Sequence, residues 1–163
     1  MTPGRRGLLD ALPPVHRGWL LGFAHEVTLP AGIRVFDEDG VADRFWILRS
    51  GLVALDVHVP GRGPVVVETL GDGELLGWSW LFEPYRWHLG ARTRSTTDAW
   101  EFDAPRVRAA MDDSPAAGLA LFRTIADQVI GERLRAARTR LLDLYGNSPA
   151  GAGQGSGRQG TVQ

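Results

Sequence analysis

Apolar and polar residues alternate with different periods along the chain, and the changes of period separate helical from extended segments. The spacing of apolar residues at 7–24 predicts one or two short helices, with an interruption at Pro13 and Pro14. From Glu26 to Phe102 the apolar residues occur in short alternating runs, separated by turns of Gly, Pro and Asp. Short strands at a spacing of roughly 8–12 residues are typical of a β sandwich or roll. The sequence therefore predicts about eight short strands in this central part.

Helical periodicity returns after the strands. We expect a short helix near Pro105, and then a longer one in which Ser114 is the N-cap and Pro115 the first helical residue. The longer helix runs for about 30 residues and ends at Gly146, where glycine terminates a helix most easily. Apolar residues within it are spaced by four and three positions alternately: Ile130, Leu134, Ala137, Leu141 and Leu144. This spacing is that of a coiled-coil seam of fewer than two heptads.

These patterns divide the chain into four segments. We expect N-terminal helices at residues 1–24, a β-roll at 25–103, and the short and long helices at 104–146. Residues 147–163 are mostly Gly, Ser, Gln and Ala, and they carry too little apolar surface to offset the entropy of ordering. The sequence therefore predicts a disordered tail at 147–163.

Composition excludes several kinds of chemistry. The 163 residues carry a net charge of −1, all 18 basic side chains are arginine, and cysteine and lysine are both absent. Without cysteine the sequence excludes disulfides, thiolate metal sites and thiol nucleophiles. Without lysine it excludes Schiff-base enzymes and P-loop phosphate binding. Any bound anion must therefore meet arginine, histidine or backbone N–H groups.

The remaining composition favours a soluble, non-enzymatic protein without a metal. The sequence has neither a signal peptide nor the ~20 consecutive apolar residues of a membrane span, so we expect a cytoplasmic protein without a membrane partner. The four histidines are scattered, and the acids between Asp37 and Asp43 lack the order of a calcium loop. Motifs of nucleophilic catalysis are also missing. We therefore expect neither a metal site nor catalytic residues.

Three sequence motifs, together with the order of the elements, resemble those of a known family. The motifs are Leu29–Gly32, Phe45–Gly51 and Gly73–Gly77. Over roughly residues 7–145 the chain resembles the cyclic-nucleotide-binding domain, the sensor domain of Crp/Fnr-type bacterial regulators. The resemblance implies a mainly β fold with flanking helices, in which a β jelly roll precedes a long C-terminal helix. It also implies an anionic ligand under a short helix after Gly77, and dimerisation through the long helix. We therefore expect a homodimer through residues 116–145.

The phosphate-binding cassette of that family is only partly matched here. In the family it begins Gly-Glu and ends, about ten residues later, with an arginine that neutralises the cyclic phosphate. Gly77 keeps the first position, but Trp78 stands where the ribose-binding Glu is expected. His88 stands at the arginine position, and Arg86 lies two residues before it. The resemblance therefore implies a divergent ligand pocket.

We nevertheless expect any ligand to bind at this cassette, whether it is a cyclic nucleotide or another small anion. The candidate ligand-binding residues are Gly77, Trp78, Ser79, Arg86, Trp87 and His88. Arg86 is the best candidate for an anion contact, although it could instead pair with Glu83 or Glu74. The aromatic residues of the segment either fill the mouth of the roll or form a pocket for a planar ligand.

The resulting functional prediction is a sensor or regulatory module that acts on another protein and is not an enzyme. Only 17 residues follow Gly146, so we expect no helix-turn-helix domain and no contact with nucleic acid. Two alternatives remain open. The first is a structural or protein-interaction domain with a plugged pocket. The second is a Crp/Fnr-like regulator that contacts DNA through the arginines of its last helix: Arg133, Arg135, Arg138 and Arg140.

Overall fold

The computed structural model describes residues 6–146, with side chains as far as residue 131 and again at Arg138 and Leu142. The backbone forms two compact units, which divide after Gln128. The first unit contains the strands of the described chain and the start of the last helix. The predicted tail at 147–163 lies outside the described residues and stays a prediction.

Within residues 6–146, eight antiparallel strands form two four-stranded sheets. The strands are β1 (His25–Leu29), β2 (Arg34–Phe36), β3 (Arg44–Ser50), β4 (Val53–Val59), β5 (Gly63–Leu70), β6 (Leu75–Leu76), β7 (Gly90–Thr93) and β8 (Thr97–Asp103). One sheet has the order β1-β8-β3-β6, and the other has the order β2-β7-β4-β5. The predicted jelly-roll fold is therefore confirmed.

Strand β3 supplies the centre of the core because its side chains are buried on both faces. Phe45 stacks on Phe102 of β8, with the ring centroids 4.6 Å apart. On the opposite face Trp46 stacks toward Phe36 of the second sheet, at 5.9 Å. Successive side chains of a strand point to opposite faces, so Trp46 lies between the two sheets and Phe45 lies outside them. The interior of the roll therefore begins at Trp46.

Strand β2 contains an irregularity that decides what faces the interior. Arg34 lies opposite Arg92 of β7, whereas Phe36 lies opposite Ala91, so the register shifts between them. Ala91 is buried and Arg92 is exposed. Arg34 and Phe36 therefore face opposite sides of the sheet, although a regular strand would place residues two apart on the same side.

The described part of the chain also forms four α-helices: α1 (Leu8–Ala11), α2 (Pro14–Leu21), α3 (Ala104–Asp113) and α4 (Pro115–Gly146). The break predicted at the two prolines separates α1 from α2. Helix α3 begins at Ala104, and the Asp103 carboxylate caps it by accepting a hydrogen bond from the Arg106 N–H. Helix α4 begins at Pro115, as predicted, and is described as far as Gly146, so its predicted end stays a prediction.

The predicted coiled-coil spacing falls largely on side chains that the structure does not describe. Of its five residues only Ile130 is described, and its side chain is exposed. The homodimer through residues 116–145 therefore stays a prediction. Within residues 6–146, none of the helices combines the length and the apolar composition needed to cross a membrane.

Candidate ligand site

The segment between β6 and β7, residues 77–89, contains the six predicted site residues and begins with a glycine that the geometry requires. Gly77 has a φ of +91°, a conformation that residues with a side chain adopt at a cost. A Cβ atom built on Gly77 would lie 2.6 Å from Cζ3 of Trp87. The ring of Trp87 thus lies directly against the glycine backbone, and any larger residue at 77 must displace it.

Trp87 lies inside the roll. Only 5% of its surface is exposed, and its ring stacks on Phe36 with the centroids 4.0 Å apart and the planes 14° from parallel. The centroid of Trp46 lies 6.4 Å away. Because Phe36 and Trp46 belong to different sheets, Trp87 fills space between the sheets.

Three other predicted residues form a separate cluster. The rings of Trp78 and His88 are stacked, with centroids 5.2 Å apart and planes 13° from parallel. The Ser79 hydroxyl lies 2.9 Å from Nδ1 of His88, and Ser79 is 3% exposed whereas His88 is exposed. Ser79 also begins a short 3-10 helix, Ser79–Leu81, the element that the resemblance placed after Gly77. The cluster therefore presents an aromatic face, an imidazole and a hydroxyl within one short segment.

The aromatic edge of this cluster continues to the last helix. Phe82 meets Trp78 edge-to-face at 5.8 Å and meets Phe122 of α4 in the same way at 5.9 Å. Phe82 and Phe122 both remain substantially exposed. A change in the position of Trp78 would therefore alter, through Phe82, the contact with Phe122 near the start of α4.

Arg86, the predicted anion contact, is held on the outside of the roll. Its Nη1 donates to the backbone carbonyl of Asp39 at 2.7 Å, and its side chain is exposed. The backbone of Arg86 forms an isolated bridge with Val41. Guanidinium groups carry five N–H donors, so Arg86 keeps donors for a ligand that approaches from solvent.

The tryptophans of the segment lie in different environments, some buried and one half-exposed. Trp80 is fully buried and stacks on Phe45 at 4.1 Å, so it belongs to the core outside the two sheets. Trp87 fills the roll, whereas Trp78 lies in the half-exposed cluster. The segment thus fills the mouth of the roll with one tryptophan and places another in a half-exposed cluster.

Sequence reasoning missed a cation that holds this segment. Arg108 of α3 donates to the carbonyl of Trp80 at 2.8 Å, and its guanidinium lies 4.0 Å from the ring centroid of Tyr85. Arg108 lies 20 positions after His88, on a different element, and its sequence context is that of an ordinary helix surface. No local pattern in the sequence indicates this contact.

A buried ion pair was also missed. Asp56 of β4 is 3% exposed and accepts from both terminal nitrogens of Arg34, at 2.8 Å for Nη2. The Nε group of Arg34 donates to Asp37 at 2.7 Å. The hydrogen bond with Asp56, opposed by partial burial and reinforced by Asp37, raises the pKa of Arg34 above its ordinary value. Asp56 lies opposite Gly90, on the same sheet face as exposed Arg92, so this pair faces away from the roll interior.

Metal ligands do not converge in the part of the chain that the structure describes. Across residues 6–131, His, Asp and Glu side chains do not gather in any group of three that could hold an ion. The candidate site is therefore built from aromatic rings, one hydroxyl, one imidazole and one exposed guanidinium.

Comparison with known proteins identifies the family to which this fold belongs. The sequence profile of the cyclic nucleotide-binding domain matches residues 26–114, which include all eight strands except the first residue of β1. The chain belongs to the cyclic nucleotide-binding domain family. Both the predicted family and the predicted β jelly roll are thereby confirmed.

A curated relative of this cyclic nucleotide-binding domain is a regulator. The CRP-like cAMP-activated global transcriptional regulator of Mycobacterium tuberculosis is 28% identical over 145 residues. The alignment covers 86% of this chain and 60% of the relative, so the chain spans about 60% of the length of the protein it matches.

Solved structures share the fold. A cyclic nucleotide-binding domain from Methylobacillus flagellatus superposes with a TM-score of 0.72 at 14% identity, covering 83% of this chain and 79% of that one. The N-terminal domain of a transcriptional regulator from Streptomyces coelicolor gives 0.65 at 23% identity, covering 78% and 91% of the two chains. These likenesses establish the architecture in which the segment at 77–89 lies.

Proposed function

We propose that this cyclic nucleotide-binding domain is a regulatory module that senses a small ligand at residues 77–89 and is not an enzyme. The observation that carries the proposal is the Trp78–Ser79–His88 cluster, where a buried hydroxyl and an exposed imidazole adjoin an aromatic face. Such a site can stack a planar group and direct it by hydrogen bonds.

The six residues take different parts in the proposed site. Trp78 supplies the stacking face, while Ser79 and His88 supply hydrogen bonds. Arg86 meets the negative charge of the ligand from the solvent side, since a charge-assisted bond is stronger than a neutral one. Gly77 and Trp87 lie behind these groups and support the segment from inside the roll. The ligand is a cyclic nucleotide or another small anion.

The output of the module is proposed to pass through the long helix. Phe82 and Phe122 connect the cluster to the start of α4, so ligand binding would favour one placement of the segment and helix over another. We propose that the module works in the cytoplasm as a homodimer through residues 116–145, and that it acts on a protein partner. The regulatory name of the Mycobacterium tuberculosis relative supports this role.

A second candidate function is a protein-interaction domain whose pocket is plugged. The observation in its favour is the buried Trp87, which fills space between the two sheets. The third function considered from the sequence, DNA contact through the last helix, depends on residues 133–140. Of that stretch the structure describes only the side chain of Arg138, which is exposed.

Intrinsic fluorescence separates the first two candidates, because the chain has six tryptophans. We expect saturable changes on titration with at least one of cyclic AMP, cyclic GMP or a cyclic dinucleotide. The Arg86→Ala and Ser79→Ala variants should each weaken binding about tenfold, the usual effect of losing one hydrogen bond to a ligand. The Arg62→Ala variant, changed at an exposed turn between β4 and β5, is the matched control. Silent titrations, or equal affinity in the wild type and both site variants, would contradict the proposal.

A further inference from the structure

The position of Trp87 supports an inference that is separate from ligand sensing at the Trp78–Ser79–His88 cluster, called the outer cluster below. We infer that Trp87 is a permanent internal occupant of the roll, filling the space between the two sheets as a bound planar molecule would. The ring is 95% buried between residues of both sheets. A side chain that lines a ligand pocket keeps a free face toward it, whereas the faces of Trp87 are covered.

The ring contacts of Trp87 are those of a bound planar molecule. Phe36 stacks in nearly parallel orientation at a centroid distance of 4.0 Å, and Trp46 adds a second ring 30° from parallel at 6.4 Å. Aromatic pairs at such distances gain energy beyond the apolar area that they bury. The interior of the roll is therefore complementary to an indole.

Two glycines make room for this indole. The edge of the ring lies over Gly77, where a Cβ atom would come within 2.7 Å of Cη2. Near the other end of the ring system, a Cβ atom on Gly40 would lie 3.4 Å from Cδ1. Both positions thus approach the ring with bare backbone.

Backbone hydrogen bonds fix Trp87 in this place. Its N–H donates to the carbonyl of Gly40 at 3.0 Å, and its carbonyl accepts from the N–H of Asp39 at 2.9 Å. Two residues earlier, the carbonyl of Tyr85 accepts from the N–H of Ala42 at 2.7 Å. Removing the indole from the roll would require this paired segment to open.

The neighbouring cations are directed elsewhere, which defines the kind of molecule that fits the space. Arg86 is bound to the carbonyl of Asp39 outside the roll, and Arg34 is bound to Asp56 on the outer sheet face. The walls around Trp87 are aromatic rings and glycine backbone. A roll emptied of Trp87 would therefore take a flat, uncharged aromatic molecule of indole size, and a phosphate group would add nothing to its affinity.

The test is to empty the roll and refill it with indole. The Trp87→Ala variant should lose about 10 °C in thermal midpoint, as expected for truncation of a buried tryptophan in a chain of this size. Free indole at ten times its Kd should restore about 4 °C. Calorimetry should show saturable indole binding to this variant. Cyclic AMP should bind the variant's roll no more tightly than adenosine does.

The matched control is Trp19→Ala, because Trp19 is half-buried and meets Phe23 edge-to-face outside the roll. Neither this variant nor the wild type should be stabilised by indole. The inference would be overturned if the folded Trp87→Ala variant were not stabilised by indole. It would also be overturned if indole stabilised the wild type equally. These outcomes do not depend on whether the outer cluster binds a ligand in the wild type.

If the alanine variant fails to fold, Trp87→Phe provides a second measurement, since phenylalanine can keep the stack on Phe36. The difference between the fluorescence emission spectra of the wild type and this variant is the emission of Trp87. It should be blue-shifted and almost insensitive to acrylamide, as expected of an indole enclosed by protein. Emission quenched as strongly as that of an exposed tryptophan would show that the roll is open and would refute the inference.

Discussion

Replacement of Gly77 by alanine is the sharpest test of how the segment fits the roll. The change adds one methyl group and introduces two separate costs. The backbone of Gly77 is in the left-handed region at φ +91°, where a Cβ atom meets its own chain. The same Cβ atom would lie 2.6 and 2.7 Å from two ring carbons of Trp87, closer than carbon atoms can approach.

The two costs can be estimated separately. A left-handed conformation costs an L-residue about 1–2 kcal/mol, from which about 0.4–1 kcal/mol is regained because alanine restricts the unfolded chain. Forcing an extra carbon into a packed site costs about 1–3 kcal/mol. We therefore expect the Gly77→Ala variant to lose about 2–4 kcal/mol in free energy of unfolding.

Gly61→Ala is the matched control. Gly61 lies in the turn between β4 and β5 with a φ of +81°, and its Cβ would have no neighbour within 4 Å. This variant has the backbone cost without the ring contact, so it should lose about 1 kcal/mol or less. Urea denaturation followed by circular dichroism measures both free energies, provided that the slopes agree.

A double variant isolates the contact with the ring. If Trp87 causes the additional loss, Gly77→Ala should cost about as little in a Trp87→Leu background as Gly61→Ala does in the wild type. Equal losses for the two glycine variants in the wild-type chain would refute the packing of Trp87 on Gly77. An unchanged loss in the double variant would refute it independently.

Two further changes probe the sheets and the helix start. Asp56→Asn leaves the guanidinium of Arg34 with one carboxylate fewer, and we expect a loss of about 3 kcal/mol, whereas Asp37→Asn at the exposed end should cost less than about 1 kcal/mol. Equal losses in chemical denaturation would contradict the buried pair. Asp103→Ala removes the cap of α3 and should lower the free energy of unfolding by about 1 kcal/mol, while Asp103→Asn retains an acceptor and most of the stability. A thermal scan that does not separate these two variants would rule out the cap.

Much of the fold could be predicted because its signals are local. The strands follow from short alternating runs, and the turn at residues 60–62 follows from its Pro and Gly content. The start of helix α4 was placed correctly because Ser114 and Pro115 are residues that start helices. Strand β6 has only two residues, so it carries no periodicity by which it could have been recognised.

The directions of the side chains at the site could not be predicted in the same way. The segment at 77–89 is irregular, so spacing does not decide which of its tryptophans face the roll. That choice depends on pairing with residues 39–42, which lie more than 40 positions earlier in the chain. Likewise, alternation would have placed Arg34 beside Phe36 in the interior, and the shift of register between them sends the charge to the outer face.

The contact of Arg108 with the segment has a mechanical consequence. One side chain of α3 binds the carbonyl of Trp80 and covers the ring of Tyr85, so it holds the segment at two points five residues apart. A shift of either point relative to the helix would break a hydrogen bond or a cation–π contact. A ligand that displaces the segment, as the proposed function requires, would therefore act on α3 as well as on α4.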